Sequence, residues 1–348
     1  MRRVRIIGAG LIGTSIALAL AGRKNEIQMV DSNPAHSALA QDLAGRTFEG
    51  SADLVIFALP SSHLQEVLLA EFELNPRAIF MDIGSTKAKP QCEIESIPAL
   101  VFQFCGTHPM AGREIGGPEA ARADLFAGRP WIYTPSQATT QKAIDAVIEL
   151  IENLGATPIR MEIDNHDAAV ALVSHLPQIS ASLLAKQLLS GEEEWMTLAG
   201  QGLRDTTRIA GSDPALWDEI ISSNREQILP LLAILEADLH QFISDLENKK
   251  PIAALISEGR RGRQRIPGKH GGRARDYSYL PIVIEDKAGQ LAALFQECAV
   301  AGVNIEDLTI EHSPGQFTGL ITLALSREGA NRLSEHLASR GWNVHSLR

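Results

Sequence analysis

The sequence predicts an α/β fold in its N-terminal half, followed by an all-α segment and a small mixed unit. Up to residue 163, short apolar runs alternate with helical patterns, which is typical of a doubly wound parallel sheet covered on both faces. Over 164–257 the apolar period changes to 3.6 residues, which indicates helices. Over 277–348 the patterns run strand, helix, strand, strand, helix, strand, a βαββαβ order typical of a ferredoxin-like module.

The N-terminal element is a strand and helix joined by a glycine-rich turn. Val4–Ile7 runs into Gly8-Ala9-Gly10-Leu11-Ile12-Gly13, and an apolar helix follows to Ala21. Gly8 allows a tight turn, Gly10 lets the backbone approach a pyrophosphate, and Gly13 lets the helix pack closely on the strand. Leu11 and Ile12 open the helix, whose free N–H groups can bind phosphate. The pattern predicts a Rossmann dinucleotide-binding domain over 1–163.

An acid closes the second strand of this domain. Glu26–Val30 is followed by Asp31, which lies 18 residues after Gly13 and is placed to accept hydrogen bonds from the adenosine ribose. A carboxylate there repels a 2′-phosphate, and Ser32-Asn33-Pro34 supplies no arginine beside it. The sequence therefore predicts NAD in preference to NADP.

The remaining elements of the first domain follow the same alternation. Strands are expected at 52–59, 78–83, 100–104, 131–133 and 157–163, with helices at 63–72 and 141–154. Beyond them, Asp164 is expected to cap the first helix of the all-α domain, with Asp167 in its first turn. The segment 220–243 is too hydrophobic for a lone surface helix, so we expect it to mediate a homodimer.

The segment 258–276 is basic, with seven arginines and lysines against Glu258 and Asp276. We interpret it as a solvated linker; a phosphate or nucleic-acid contact is the less favoured alternative, because aromatic residues do not interleave with the charges. The whole chain has a net charge of −10, which argues against general nucleic-acid binding.

Composition predicts a soluble, cytoplasmic protein. Cys92, Cys105 and Cys298 are far apart, so neither a disulfide framework nor a zinc site is expected, and a reducing compartment fits. The apolar N-terminal stretch resembles a secretory signal only weakly, because Arg5 interrupts it. Elsewhere we expect no stretch of the ~18 apolar residues that a membrane span needs.

Chemistry is expected where the strands of the first domain end, since open α/β sheets bind ligands there. One strand end carries Gly84-Ser85-Thr86-Lys87, and another carries Gly106-Thr107-His108-Pro109. A histidine on a loop at this edge can lie near the nicotinamide and accept a proton as a hydride leaves. The alternative for His108 is a purely structural role, but the flanking glycines and proline favour function.

The all-α domain adds two polar motifs. In Ser174-His175-Leu176-Pro177-Gln178 the proline is expected to break the helix and free backbone carbonyls. Arg204 and Arg208 lie four residues apart on one predicted helix face and could grip a carboxylate. A surface ion pair with Asp205 or Asp213 explains them equally well.

In their order along the chain, these motifs resemble those of the prephenate dehydrogenase family, including its arogenate-using relatives. The residues that carry the resemblance are the Gly8–Gly13 turn, Gly84–Lys87, Gly106–Gly112, Ser174–Pro177, and Arg204–Ala210 before Trp217. The C-terminal unit resembles an ACT domain, with Asp286 to Gly289 opening its first helix and Asn304-Ile305 opening its second strand.

The resemblance implies NAD-dependent oxidative decarboxylation of prephenate to 4-hydroxyphenylpyruvate in tyrosine synthesis. It places His108 at the hydroxyl proton, Ser85 beside the hydroxyl and His108, and Arg208 on a substrate carboxylate. It places a supporting set around the substrate: Glu114, Ser174, Gln178, Asp205 and Trp217.

Two positions depart from the family pattern. Gln178 stands where the family often has histidine, which leaves arogenate open as the substrate, although prephenate is preferred. Ala288 stands where ACT loops commonly carry proline. If the ACT unit binds an effector, tyrosine is the expected one, at Asp286, Gly289, Asn304 and Ile305.

Two other functions are compatible with the same folds. A non-catalytic sensor of dinucleotide and amino acid would keep both binding units, but it has little need for His108, Ser85 and Arg208 together. A 3-hydroxyacid dehydrogenase or imine reductase would share the plan, but those enzymes ordinarily use a residue of the helical domain, such as a lysine, and no comparable motif is found.

Overall fold

The computed structural model describes residues 2–22, 25–112, 115–266, 277–311 and 317–347. The chain divides into two compact units, the first ending at His240 and the second beginning at Gln241.

The first unit opens with a seven-stranded sheet in the order β2-β1-β3-β4-β5-β6-β7. Its strands are β1 Arg3–Ile7, β2 Glu26–Val30, β3 Leu54–Phe57, β4 Ile79–Asp82, β5 Phe104–Pro109, β6 Pro130–Thr134 and β7 Thr157–Arg160. Its helices are α1 Leu11–Leu20, α2 Pro34–Ala44, α3 Leu64–Leu74, α4 Ala88–Glu95 and α5 Gln141–Asn153.

The strand directions confirm the doubly wound sheet and change one part of it. β1 to β5 run parallel, whereas β6 pairs antiparallel with β5 and β7 pairs parallel with β6. A parallel return needs a crossover helix, but the described residues between β5 and β6 hold only the short turn Pro118–Ala120. The last two strands therefore run opposite to the first five.

Apolar clusters cover both faces of this sheet. One contains Ile16, Trp131 and Val147, and the other contains Leu68 and Phe80. All four residues of β3 and all four of β4 are buried, as expected for central strands covered on both sides.

The strand expected at 100–104 lies instead at Phe104–Pro109, because residues 101–103 form turns. His108 is therefore the second-last residue of β5 and does not lie on a loop. Pairing of His108 with Ile132 on β6 fixes its backbone. This placement makes His108 a rigid element of the sheet.

The helical part of the first unit begins at residue 163. Its elements are α6 Ile163–Val170, a π-helical segment Ala171–His175, α7 Leu176–Gln187, α8 Glu193–Met196, α9 Gln201–Thr207, α10 Pro214–Ser223 and α11 Arg225–Glu247, of which residues 241–247 belong to the second unit. Glu162 is the N-cap residue of α6, so the prediction that Asp164 caps this helix is wrong. Asp164 lies in the first turn, and Asp167, which was predicted there, lies beyond it.

Pro177 does not break the helix as the sequence predicts. It occupies the first turn of α7, directly after the π-helical segment. The missing N–H of proline costs little there, because the wider π turn has already shifted the hydrogen-bond register. Segments of this kind occur frequently at functional sites.

The stretch Ile163–Ser190 is 28 residues long, with a mean hydropathy of 1.5 in its most apolar window. By length and composition it could cross a membrane, so the expectation that no such stretch exists is wrong. Length and composition alone are weak grounds for a span. The stretch also contains His166, Asp167 and His175, which are buried and hydrogen-bonded within the first unit.

The hydrophobic segment predicted at 220–243 is split between α10 and α11. The break falls at Asn224, whose buried side-chain amide bonds to residues of the earlier helices. Many large apolar side chains of this region are exposed, among them Leu229, Ile234, Leu239 and Ile243.

The second unit contains α12 Ala253–Gln264 and a four-stranded antiparallel sheet in the order β11-β8-β10-β9. Its remaining elements are β8 Ser278–Glu285, α13 Gln290–Val300, β9 Asp307–Glu311, β10 Thr318–Leu325, α14 Arg327–Ser339 and β11 Asn343–Val344. The predicted βαββαβ order is confirmed. The second strand, expected from Asn304, begins at Asp307.

The basic segment expected as a linker from 258 starts as the end of α12. Ala253, Ala254 and Leu255 are strong helix formers, and the helix continues through Gln264 because its arginines favour the negative end of the helix dipole. Residues 267–276 of the proposed linker lie outside the described residues.

Candidate active site

The glycine loop, residues 8–13, has the steric properties of a dinucleotide cradle. Gly8 has φ +109°, and a Cβ there would lie 2.1 Å from the Ala58 carbonyl oxygen. A Cβ on Gly13 would lie 2.0 Å from the Gly8 carbonyl oxygen. A Cβ on Gly10 would meet no atom within 4 Å, so this position faces open space. Two glycines are thus required by packing, and the third leaves room for a ligand.

The helix N-terminus above this open space is free to bind an anion. Gly10 is the N-cap residue of α1 and gives no side-chain cap to its N–H groups, and Leu11 and Ile12 are the first helical residues. The Thr14 hydroxyl is buried without a hydrogen-bond partner among the described residues. These donors suit the phosphates of a dinucleotide.

Asp31 is held against the glycine loop. Its Oδ2 accepts a hydrogen bond from the Ala9 N–H at 2.6 Å, and its Oδ1 accepts one from the Asn33 N–H at 2.8 Å. A carboxylate has about four lone-pair sites, so both oxygens keep capacity for ribose hydroxyl donors. The position fits the role that the sequence predicts.

His108 is the first member of a hydrogen-bonded series at the carboxyl edge of the sheet. Its Nδ1 lies 2.9 Å from His166 Nε2, and the two rings meet edge to face. His166 Nδ1 lies 2.7 Å from Asp167 Oδ1. We call this the His108–His166–Asp167 series. It joins β5 to α6.

Asp167 is fixed at the N-terminus of α4. Its oxygens accept hydrogen bonds from the Lys87 N–H at 2.9 and 3.2 Å and from the Ala88 N–H at 2.8 Å. Burial acts to raise the pKa of the Asp167 carboxyl, but the hydrogen bonds from His166, Ala88 and Lys87 outweigh it, and the pKa is lowered. Asp167 is therefore an anion near neutral pH.

The pKa of His108 is lowered well below its usual value. Burial is the main cause, and the positive charges that His166, Lys87 and His175 can carry add to it. His108 is therefore a neutral imidazole near pH 7, which is the form that accepts a proton.

A buried ion pair is joined to the series through Lys87, whose backbone N–H donates to Asp167. Lys87 Nζ donates to Asp82 Oδ2, and both side chains are nearly inaccessible to solvent. Asp82 Oδ1 also accepts from the Thr107 N–H at 3.2 Å, which connects the ends of β4 and β5. Burial, followed by the Asp82 charge, raises the pKa of the nearby Cys105 thiol to about 12, so this cysteine is not a nucleophile.

His175 forms a second buried histidine position. The Asn224 side-chain amide donates to the Asp167 carbonyl oxygen at 2.8 Å and lies 3.1 Å from His175 Nδ1. The His175 ring meets the Trp217 ring edge to face, with centroids 6.0 Å apart. Burial is the main cause that lowers the pKa of His175 to about 4. Trp217 is thus linked to the series through His175 and Asn224.

Gln178 is buried and holds a neighbouring turn. Its Nε2 donates to the Ile209 carbonyl oxygen at 3.0 Å, in the 3-10 turn Arg208–Gly211. Arg208 opens that turn directly after α9 ends, so Arg204 and Arg208 do not share one continuous α-helical face as the sequence predicts. Both arginines are exposed.

The other predicted site residues lie at several places. Ser85 is partly exposed in the turn that follows β4, and β4 is the strand next to the one that carries His108. Ser174 is partly exposed in the π-helical segment. Asp205 is exposed on α9 and accepts from Gln201 Nε2 at 2.7 Å. Glu114 lies outside the described residues.

In the second unit, the predicted effector residues are placed around the start of α13 and before β9. Gly289 has φ +91° and precedes the first residue of α13, a left-handed conformation that favours glycine. Ile305 packs on the core of this unit, and the Asn304 amide donates to Glu306 Oε1 at 3.2 Å. Asp286 N–H donates to the Phe317 carbonyl oxygen.

Sequence reasoning missed His166 and Asn224 as site residues and gave Asp167 only a helix-dipole role. A usable signal existed, because His166, Asp167 and His175 are polar residues within a helical stretch that is apolar on average. Polar groups at such positions are buried only when paired.

Comparison with known proteins gives two matches to family descriptions. Residues 14–160 match the description "Prephenate dehydrogenase, nucleotide-binding domain", and residues 162–253 match "Prephenate dehydrogenase, dimerization domain". The prephenate dehydrogenase of Lactococcus lactis subsp. cremoris is 30% identical over 339 residues, which cover 91% of this chain and 92% of that protein.

Solved structures are similar over about three quarters of the chain. The structure of prephenate dehydrogenase from A. aeolicus in complex with hydroxyphenyl propionate and NAD+ is 29% identical, with a TM-score of 0.69, and the match covers 77% of this chain and 99% of that one. Arogenate dehydrogenase from Synechocystis is 26% identical, with a TM-score of 0.63, and the match covers 75% and 98%. With a glycine cradle and a fixed, neutral His108 at one edge of its sheet, and with these matches over most of its length, the chain belongs to the prephenate dehydrogenase family.

Proposed function

We propose that this chain catalyses the NAD-dependent oxidative decarboxylation of prephenate to 4-hydroxyphenylpyruvate, a step of tyrosine synthesis. The observation that carries the proposal is the neutral His108, fixed at the carboxyl edge of the sheet where the glycine loop also lies. Open α/β sheets bind their ligands at this edge.

The reaction balances without an external acid or base. A hydride leaves the ring carbon that bears the hydroxyl, the bond from the ring to its carboxylate breaks, and that electron pair completes the aromatic ring. His108 accepts or polarises the hydroxyl proton, which returns to the oxygen as the phenol forms. The products are 4-hydroxyphenylpyruvate, carbon dioxide and NADH. Aromatisation drives the reaction, so positioning and polarisation are the main tasks of the protein.

NAD would be held by the glycine loop, the N-terminus of α1 and Asp31, and when bound it supplies the hydride acceptor. Ser85, on the neighbouring strand end, is proposed to bond with the substrate hydroxyl and His108. Arg208 is proposed to bind a substrate carboxylate, with Glu114, Ser174, Asp205 and Trp217 in support.

Arogenate is the second candidate substrate, and one observation favours it. Prephenate and arogenate differ in the side chain, which carries a keto group in prephenate and an ammonium group in arogenate. Gln178 is neutral and its amide is engaged with Ile209, so it offers no positive charge to a keto acid. Similarity to the Synechocystis arogenate dehydrogenase is compatible with this alternative.

The test is product formation by the purified full-length protein with each of four pairs, prephenate or arogenate with NAD or NADP. Chromatographic detection of 4-hydroxyphenylpyruvate with prephenate and NAD supports the proposal. Tyrosine formed from arogenate in preference would favour the second candidate. Absence of product with all four pairs would contradict both and leave the non-catalytic sensor as the better explanation.

We further propose that the chain acts as a cytoplasmic homodimer through its helical region. The exposed apolar side chains of α7 and α11 support this, because exposed patches of this kind usually mark an interface. The match to a dimerization domain over 162–253 is in keeping with it. Sedimentation of the purified protein as a monomer at micromolar concentration would contradict the proposal.

The C-terminal βαββαβ module is proposed to be an ACT domain that binds tyrosine and inhibits the enzyme. Inhibition of this kind needs tyrosine to bind two states of the protein with different affinity. A truncated chain ending before residue 277 should keep its activity and lose the inhibition. Equal inhibition of the truncated and full-length chains would exclude this role.

A further inference from the structure

We propose that His166 and Asp167 are positioning residues that keep the ring proton of His108 on Nδ1, so that Nε2 is its basic atom. The assignment of the ring protons follows from the hydrogen-bond network when both histidine rings are neutral. Only its catalytic consequence rests on the proposed function.

Asp167 fixes the direction of the first hydrogen bond, because a carboxylate accepts hydrogen bonds and cannot donate them. Its two oxygens already accept from the backbone N–H groups of Lys87 and Ala88. These donors keep it ionised. The atom 2.7 Å from Asp167 Oδ1 is His166 Nδ1, so this nitrogen must carry a proton.

The next step is His166 itself. Taken as a neutral imidazole, His166 has one N–H donor and one acceptor nitrogen. With the proton on Nδ1, His166 Nε2 has only a lone pair to offer. The His108 Nδ1 that lies 2.9 Å away must therefore be the donor.

The consequence falls on His108. A neutral ring with its proton on Nδ1 has its lone pair on Nε2. Among the described residues the side-chain hydrogen bond of His108 is made by Nδ1, and the side chain is partly exposed, so Nε2 is left for a ligand. The opposite tautomer would present an N–H donor, which cannot accept a proton from a hydroxyl group.

The charged and polar groups around the series favour a neutral His108 ring. Lys87 is paired with Asp82, and its positive charge opposes a second charge on His108. His175 Nδ1 faces the side-chain amide of Asn224, a donor, so this ring also stays neutral. Within the described part of the chain, the carboxylate of the series is that of Asp167, and it bonds to His166 and not to His108.

The first test is spectroscopic and needs no substrate. Long-range proton–nitrogen NMR of the full-length protein labelled with 15N-histidine reports which ring nitrogen carries the proton, and H108N and H166N variants assign the signals. We expect the Nδ1–H form for both His108 and His166 at about pH 7.5. The exposed His63 serves as the reference ring. A His108 signal with the proton on Nε2 would overturn the proposal.

The second test is a rescue. In H166L the acceptor for His108 is lost, so kcat should fall by about 10- to 100-fold with little change in KM, a cost typical of losing an orienting partner of a histidine. In H166Q the amide oxygen can replace Nε2 as the acceptor, and we expect most of the lost kcat to return. Equal kcat for the two variants would contradict a positioning role, as would a loss confined to thermal stability.

The two tests separate this proposal from the proposed function. If the wild-type protein turns over neither prephenate nor arogenate but shows the Nδ1–H form of His108, the function is wrong and the network assignment holds. If it turns over prephenate while His108 carries its proton on Nε2, the function holds and the positioning role is wrong.

Discussion

Acidification should lower the free energy of unfolding of the first unit, because the folded state resists protonation of His175. Its Nδ1 lies 3.1 Å from the Asn224 side-chain nitrogen, an N–H donor, so a proton on Nδ1 would place two donors face to face. Together with burial, this resists protonation of the folded state. The pKa of His175 is about 4, against 6.5 for a free side chain.

The sign follows from which state takes up the proton first. As the pH falls through 6.5, His175 is protonated in the unfolded chain but not in the folded one, so the free energy of unfolding decreases until the pH reaches about 4. The shift corresponds to a loss of at most about 3 kcal/mol, or about 1–3 kcal/mol after allowance for solvent screening. Above pH 6.5 this contribution to stability is fully present.

The assay is urea denaturation of the wild-type protein and of H175N, in which the asparagine oxygen replaces the Nδ1 acceptor but does not titrate. Between about pH 7.5 and about pH 4.5, the wild-type protein should lose about 1–3 kcal/mol more than H175N. His108, whose pKa is also lowered, is present in both proteins and cancels in the comparison. Parallel pH profiles for the two proteins would refute the reasoning.

Three other outcomes are expected. G13A should be destabilised by about 1–3 kcal/mol in urea denaturation, because its Cβ would lie 2.0 Å from the Gly8 carbonyl oxygen. G10A should fold normally and lose NAD affinity in calorimetry, since a Cβ there meets no atom within 4 Å. Equal stability of the two variants would contradict the packing argument. In D31S, the ratio of kcat/KM with NADP to kcat/KM with NAD should rise by about tenfold or more, because a carboxylate that repels the 2′-phosphate is removed. An unchanged ratio would show that Asp31 does not select the cofactor. K87M should lower the free energy of unfolding by about 3–5 kcal/mol, because it leaves Asp82 buried without its partner. The control K250M breaks an exposed ion pair worth about 0–1 kcal/mol. Similar denaturation midpoints for the two variants would count against a stabilising role of the buried ion pair.

The nucleotide-binding half of the site could be predicted from the sequence because its signals are local. The turn at Gly8, the close contact at Gly13 and the acid at Asp31 all belong to one strand–helix–strand unit, in which spacing along the chain fixes the geometry. The βαββαβ order of the C-terminal module was predictable for the same reason, since each element has its own period.

The catalytic half depends on contacts between distant parts of the chain, and sequence spacing does not report these. His108 and His166 lie 58 residues apart, and Asp167 bonds to an N–H group 80 residues before it. The sequence also placed His108 on a loop, because the short apolar run before it resembles a complete strand. Gln178 was expected to face the substrate, but its buried amide bonds to the backbone of a turn that helical spacing could not anticipate.

The central claim is that His108 is the base of a dehydrogenase site, and the most direct measurement is NADH formation at 340 nm with prephenate and NAD by the wild-type protein and by H108N. The account predicts steady NADH formation by the wild-type protein and a fall in kcat of about 10²- to 10⁴-fold in H108N, with NAD affinity retained. Retention of wild-type turnover in H108N would contradict the account and make this histidine a structural residue.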